Sequence, residues 1–506
     1  MDYPFWDTGL SYGWLMAGIA VIHVFVSHFA IGGGLYLAVA ETRARRKNDA
    51  DALGFLQGLS KFFVLTTLVF GALTGVGIWF IIGLLNPAAT ELLIHNFVWG
   101  WATEWCFFLI EIMAAIIYLY GWKSMSARNH MTVGWIYFGA AWMSLFIING
   151  ILSFMLSPGD WIVTGSFWDG FFNPTFFSSL ILRTGICVML AGLFALLVVS
   201  VRKSDDFKRR TVTYNAWWAI VGLVIMVPSL FWYWASIPAN ITQTALNMMP
   251  TPIISWGLTF KLLIAVAVLV LLFGLLLRKA VSLPVALVMM ALGLVWFGAF
   301  EFFRESVRKP YVVSDYMYGN GMEVARADQY LQEGLLLNMK YRTGDDGADL
   351  FRHACRSCHT VDGYKALKPA YDGMDEELIA NTMVGLHVMR GNMPPFLGNE
   401  DEAGLLAAHI YKHTDHRSVA EIYGLSRVDL GRKVYDLRCG KCHVFGGYND
   451  KSSSILGLSE QDIYDLLEMA GDLAEEMPPF TGDSTEAAAF VEFLMFKTKA
   501  AEGGAL

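Results

Sequence analysis

Two five-residue stretches, Cys355-Arg-Ser-Cys358-His359 and Cys439-Gly-Lys-Cys442-His443, hold the most chemically capable residues of this 506-residue sequence. In a Cys-x-x-Cys-His run the two thiols can form thioethers to haem vinyl groups, and the adjacent His becomes the proximal iron ligand. The same cysteine spacing serves a zinc half-site or a disulfide, readings that two full copies disfavour. Each copy is followed, 35 residues after its second cysteine, by Met-Pro-Pro-Phe, which places Met393 and Met477 at matched offsets. A Met thioether opposite a His is a common axial pair and raises the reduction potential. The prolines cannot donate a hydrogen bond or continue a helix, so they hold each Met on an extended loop. His387 and Met389 in the first copy and Met469 in the second are rival sixth ligands, but their spacing does not repeat.

Helical patterns flank both copies. "GADLFRHAC" and "LGRKVYDLRC" are amphipathic stretches leading into the cysteines, and "EAGLLAAHIYKH" and "EAAAFVEFLMFK" follow the methionines. With these helices the two units resemble class I cytochrome c domains in tandem, at 336–416 and 417–506, behind a linker at 312–335. The resemblance implies two covalent haem c groups.

The preceding residues, 1–311, are of another kind. The chain is 55% hydrophobic and 16% charged, too apolar for an ordinary soluble protein, and its apolar residues lie towards the front. Eight segments are long enough to cross a bilayer: 12–40, 61–85, 97–120, 132–157, 175–201, 215–236, 256–278 and 281–303. Cys106 and Cys187 fall within them and read as buried thiols. "MDYPFWDTGL" lacks the basic start of a cleavable signal, so the first span serves as the insertion signal. The net charge is −8, and no basic patch suits nucleic acid. Lysine and arginine cluster in "ETRARRKND", "GWKSMSARNH", "VRKSDDFKRR" and "LLRKAV", whereas the alternate connections have none. The positive-inside rule makes the basic loops cytoplasmic and puts both termini outside. The expected architecture is therefore all-α: a polytopic bundle of about eight membrane helices with two C-terminal cytochrome c domains.

Ionisable residues inside a membrane are costly and usually functional. Here they include His23, His28, Glu104, Glu111, Arg183, Lys261 and Glu301. Several lie in motifs that resemble the large subunit of cytochrome bd-type quinol oxidases. "IHVFVSHFAIGGGLYLAVAE" is similar to that family's first helix, with His23 and Glu41 at its His and Glu positions. "GALTGVGIWF" follows its Gly-x-x-Thr-Gly motif with Trp79 in place of a Glu, and "RESVRKPY" keeps Glu305, Arg308 and Pro310 of its terminal signature. The resemblance implies that His23 ligates a membrane haem of b or d type and that Glu104 and Glu111 carry protons or support haems. Glu111 fits the family's spacing and Glu104 is off by one. His28, which has no counterpart there, reads as a further haem ligand, a proton carrier or a packing residue. Arg308 joins the cofactor-binding set.

The departures matter equally. Arg183 and Leu263 stand where the family's low-spin haem has its His and Met, and neither ligates iron. The quinol-binding connection between the sixth and seventh spans shrinks to about twenty residues. The Glu that ligates a third haem falls at Gly298, with Glu301 one turn on as a substitute. Arg183 and Lys261 become candidates to neutralise propionates or a carboxylate. The implied activity is electron transfer from a periplasmic cytochrome c-type donor to membrane haem and a small acceptor such as dioxygen, without the usual quinol site. A non-catalytic electron-transfer subunit and a quinone-linked enzyme are the other readings. The implied setting is a bacterial inner membrane, with a second membrane subunit and other respiratory subunits as partners.

Overall fold

The computed structural model describes residues 10, 12–248, 250–389, 393–474 and 477–502. Most of the N-terminal stretch read as lacking a signal lies outside this set. Eight helices are long and apolar enough to span a membrane: α1 (Tyr12–Arg46), α2 (Ala50–Leu85), α3 (Val98–Gly121), α4 (Ala127–Phe154), α5 (Phe176–Ser200), α6 (Asp206–Ser236), α7 (Pro252–Leu276) and α8 (Leu283–Arg308). Side-chain caps start several of them. Asp49, Ser126 and Asp205 each accept from a backbone N–H three residues on, satisfying a donor that the first helical turn leaves open. α2 begins eleven residues before its apolar run, because the polar stub "ADALGFLQGLS" continues the same helix past the bilayer-length segment.

α5 lies at the centre of the bundle, with Leu182, Ile186, Met189, Leu190 and Leu196 all buried. α1 packs closely on it at Gly32, where any side chain would collide with the Cys187 backbone carbonyl. α3 lies on the outside. Its Trp99, Trp105, Met113 and Tyr120 are exposed, and so is Cys106, which corrects the reading of that thiol as buried; Cys187 is buried as read. The sixth-to-seventh connection holds a short helix, Ala239–Met248.

After α8 the chain forms a hairpin of β1 (Tyr311–Val313) and β2 (Met317–Tyr318), which rests on one end of the bundle. Ser314 N–H donates to the Met155 carbonyl (3.0 Å), and the Tyr316 ring meets Trp161 edge-on at 5.0 Å. Asn86 Nδ2 donates to the Gly319 carbonyl (3.1 Å), and Asn240 Nδ2 donates to Asp315 (2.9 Å). These contacts put the Lys- and Arg-free connections at the tail's end of the bundle and the basic ones at the other.

The tail is two copies of one unit, offset by 84 residues. Helices Glu376–Val384 and Glu460–Glu468 correspond, as do the 3₁₀ turns Leu386–Val388 and Ala470–Asp472. The wide turns Phe351–Cys355 and Tyr435–Cys439 correspond too. In each unit a carboxylate near the end holds the beginning. Glu402 accepts from the N–H groups of Leu335 (2.8 Å) and Leu336 (2.7 Å), and Glu486 accepts from Val419 N–H (2.7 Å). One apolar cluster runs through both units, from Tyr318 to Leu494.

Candidate functional site

The two Cys-x-x-Cys-His stretches have the same local build. His359 Nδ1–H donates to the Lys365 carbonyl (2.9 Å), and His443 Nδ1–H donates to the Asn449 carbonyl (3.1 Å), six residues on in both. Lys365 and Asn449 both take a left-handed backbone, with φ of 48° and 46°. The carbonyl fixes the tautomer and the ring orientation, leaving Nε2 as the lone-pair nitrogen available to a metal. All four cysteines are free, and burial pushes the Cys355 and Cys439 thiols up to about 12. Among the described residues no cluster of three or more His, Cys, Asp or Glu could hold a metal ion.

The Met-Pro-Pro-Phe loops also repeat. The Phe396 ring folds back over Gly398, and the Phe480 ring over Gly482, where an added Cβ would sit 2.6 and 2.5 Å from the ring tip. Met393 and Met477 are half-buried on these loops. Of the rivals, His387 is exposed, Met389 is buried and Met469 is 52% exposed.

The two attachment sites lie close together and close to α1. Lys441, inside the second motif, donates from Nζ to the Ala370 carbonyl (2.7 Å) and stands 4.3 Å above the Tyr371 ring. Tyr371 feels the sulfurs of both Cys355 and Cys442. On its other side the first unit meets the start of α1. The Arg356 guanidinium covers the Tyr12 ring at 5.3 Å, and Tyr364 meets Trp14 edge-on at 6.1 Å. Lys309, kept charged by Glu305, interacts with Cys358.

About 16 Å further along α1, at 1.5 Å per residue, comes His23. Its Nδ1 lies 3.0 Å from Thr74 Oγ1, and that hydroxyl donates to the Phe70 carbonyl (2.5 Å). Thr74 therefore accepts from His23, and the Nε2 atom has no hydrogen-bond partner among the described residues. An added Cβ at Gly75 would sit 3.2 Å from the His23 ring, so the glycine leaves the ring its room. Immediately before these residues α2 widens into a π-turn at Thr67–Gly71, a distortion common at functional sites. The Thr-Gly motif is thus an orienting shell for His23. Replacing Thr74 with Val keeps the shape and removes the acceptor. For a haem held on His23, as proposed below, we expect retention to weaken by about 10- to 100-fold, read from the haem absorbance during titration.

Glu104 and Glu111 lie on one face of α3 and pair with α4. Ser144 Oγ donates to Glu104 (2.7 Å), and the Tyr137 hydroxyl lies 3.2 Å from both Glu111 and the Ala30 carbonyl. His28 is fully engaged: Nδ1–H donates to the Val24 carbonyl (2.8 Å), and Nε2 accepts from Arg183 (3.3 Å). Glu301 is engaged likewise, with its carboxylate bridging Arg183 (2.8 Å) and Arg304 (2.9 Å). The arginine at the departed haem-ligand position thus neutralises a carboxylate, while Lys261 is exposed on α7. Arg308 is buried, donating to Glu305 (2.5 Å) and Met155 Sδ (3.4 Å). Trp79 stacks edge-on with Trp101 at 4.7 Å.

A second buried cluster escaped the sequence reading. Glu41 accepts from His130 Nδ1 (2.8 Å), the Tyr118 hydroxyl (2.8 Å) and Arg45 Nε (2.5 Å). His130 Nε2 meets the Tyr118 carbonyl at 2.9 Å, so both ring nitrogens face oxygen acceptors. His130 ends the basic connection "GWKSMSARNH" and was counted there only as loop.

This eight-span bundle with a paired tail of cysteine–histidine units matches known families in two separate parts. Its membrane part, over residues 13–231, matches the family described as cytochrome bd terminal oxidase subunit I, and residues 342–410 match the family described as cytochrome C oxidase, cbb3-type, subunit III. The second unit joins the first through the 84-residue repeat. Among solved structures the chain is similar to the bd oxidase from Geobacillus thermodenitrificans, with a TM-score of 0.55 and 15% identity, covering 64% of this chain and 93% of that one. That likeness shows a shared fold. No curated protein matches the chain.

Proposed function

We propose that the chain passes electrons from a periplasmic c-type carrier to a membrane haem on His23 and on to a small acceptor, dioxygen by family analogy. Cys355, Cys358, His359 and Met393 would hold one covalent haem c, Cys439, Cys442, His443 and Met477 a second, and His23 a haem b or d. Bound haem supplies one-electron storage and exchange. The protein's own groups orient the ligands and supply protons. Lys365, Asn449 and Thr74 fix three imidazoles with Nδ1 tied and Nε2 free, and Glu104 and Glu111 are the candidate proton carriers. The tail faces the periplasm by the charge of the loops. An inner-membrane location and a second membrane subunit follow from the family analogy.

The observation that carries this reading is the alignment of sites. Lys441 of the second motif sits over Tyr371 of the first unit, and the first unit meets the start of the helix that bears His23. Oxygen consumption by the purified protein, driven by a reduced soluble cytochrome c, is the test. Carbon monoxide should perturb the membrane haem. No oxygen uptake by protein with its full haem content, together with no carbon monoxide response, overturns the oxidase reading and leaves a relay subunit.

The axial assignments carry their own prediction. Met477→His exchanges a thioether for an imidazole and lowers the midpoint potential of one c-haem, leaving the other unchanged in a redox titration. An unshifted potential would exclude Met477 as a ligand.

A further inference from the structure

The 84-residue repeat extends to the contact between the two units. The second unit seats its histidine-side loop on the methionine-side turn of the first: the Tyr448 hydroxyl donates to the Val388 carbonyl (3.1 Å). It also sends two cations into the same face, Lys441 to the Ala370 carbonyl and Arg438 to the Gly373 carbonyl (3.0 Å). Met389, at the end of the turn, is 7% exposed beneath this contact. Among the described residues nothing covers the corresponding face of the second unit. Leu473, which corresponds to Met389, is 49% exposed; Met469 and Leu456 are 52% and 45% exposed. Gly471, in the same turn, packs against Pro479 of the second Met-Pro-Pro-Phe loop, so the open apolar face lies directly over the axial-ligand loop.

Charge distinguishes the two faces further. Residues 452–496 contain ten Asp and Glu and neither Lys nor Arg, while the corresponding stretch 368–412 holds Lys368, Arg390 and Lys412. Glu460, Asp462, Asp465, Glu468 and Asp472 are all exposed around the open turn. Exposed apolar residues ringed by charge mark an association surface, and a single-sign rim selects the partner.

We infer that this face of the second unit, centred on Met469 and Leu473, docks a soluble one-electron carrier whose redox edge is surrounded by lysines. The carrier takes the place towards the second unit that the second unit takes towards the first, a head-to-tail contact repeated once more. One electron leaves the reduced carrier for the second unit, with no bond made or broken. The inference rests on the proposed electron route and names the partner class for its outer end.

The test uses the full chain in detergent, a lysine-rich soluble class I cytochrome c as probe and an acidic one as control. Asp465→Lys, Glu468→Lys and Asp472→Lys are combined, all exposed and outside the ligand sets. We expect the Kd for the lysine-rich probe, read by calorimetric titration at low ionic strength, to rise at least about tenfold and its salt dependence to flatten. The second-order electron-exchange rate should fall in step, while the acidic control improves. Leu473→Ser should weaken binding without changing the salt dependence. Unchanged Kd and rate in the triple variant overturn the docking face. Reduction of the c-haems by ascorbate, and oxygen uptake driven by it, report the proposed function separately. If that function fails, carrier binding and exchange with the second unit still respond to the three lysines.

Discussion

Substituting His23 with Ala should remove the membrane-haem absorbance, abolish any acceptor reduction and leave two c-haems per chain in a pyridine haemochrome assay. The imidazole is the only side chain on its stretch of α1 with a ring nitrogen left open for a metal, since His28 has both nitrogens engaged. A ring that merely packed would cost stability when truncated but would not change haem stoichiometry. A His23→Ala protein with a parental spectrum would refute the assignment of this residue. The c-haem count serves as the internal control, because the Cys-x-x-Cys-His motifs belong to the tail, which meets α1 at Tyr12 and Trp14 and not at His23.

Glu301→Gln should be among the most destabilising single changes in the membrane part. Arg183 is 2% exposed, and Glu301 is the carboxylate that neutralises it, with neutral His28 on its other side. Removing the partner of a buried charge costs about 3–5 kcal/mol, because the remaining ion is left without compensation in a low-dielectric interior. The apparent Tm should fall by roughly 5–8 °C for a membrane part of about 300 residues. Combining Glu301→Gln with Arg183→Met removes both charges and should recover most of the loss, since buried ion pairs and apolar replacements of similar size are often of similar stability. A single variant as stable as the parent would show that Arg183 is neutralised by something else.

The spans could be read from sequence because bilayer thickness imposes a length that composition reveals. The third span, read as 97–120, is Val98–Gly121. The start of α2 was missed because a helix continues beyond the apolar residues that announce it. The two Cys-x-x-Cys-His motifs were legible because the residue types and their local order fall within five positions. The orienting groups were not, since Thr74 is 51 residues from His23 and meets it only when α1 and α2 pack. The same holds for Arg183 with Glu301 and for Glu41 with His130. Each sequence stretch shows a costly charge, but the partner that makes it affordable lies on another helix. Exposure of Cys106 depends on α3 lying at the bundle's edge, which hydropathy alone does not reveal.

The carboxylates that tie the end of each tail unit to its beginning also set a timetable. Glu402 closes the first unit by binding Leu335 and Leu336, and it lies 44 residues after Cys358. At 5–20 residues per second of synthesis, that is a delay of roughly 2–9 s between the appearance of the second cysteine and that of the latch. During it both thiols belong to an open chain, the interval in which the proposed haem attachment would take place. Glu486 gives the second unit the same interval after Cys442, so the chain presents its two Cys-x-x-Cys-His motifs one after the other, each before its own latch is made.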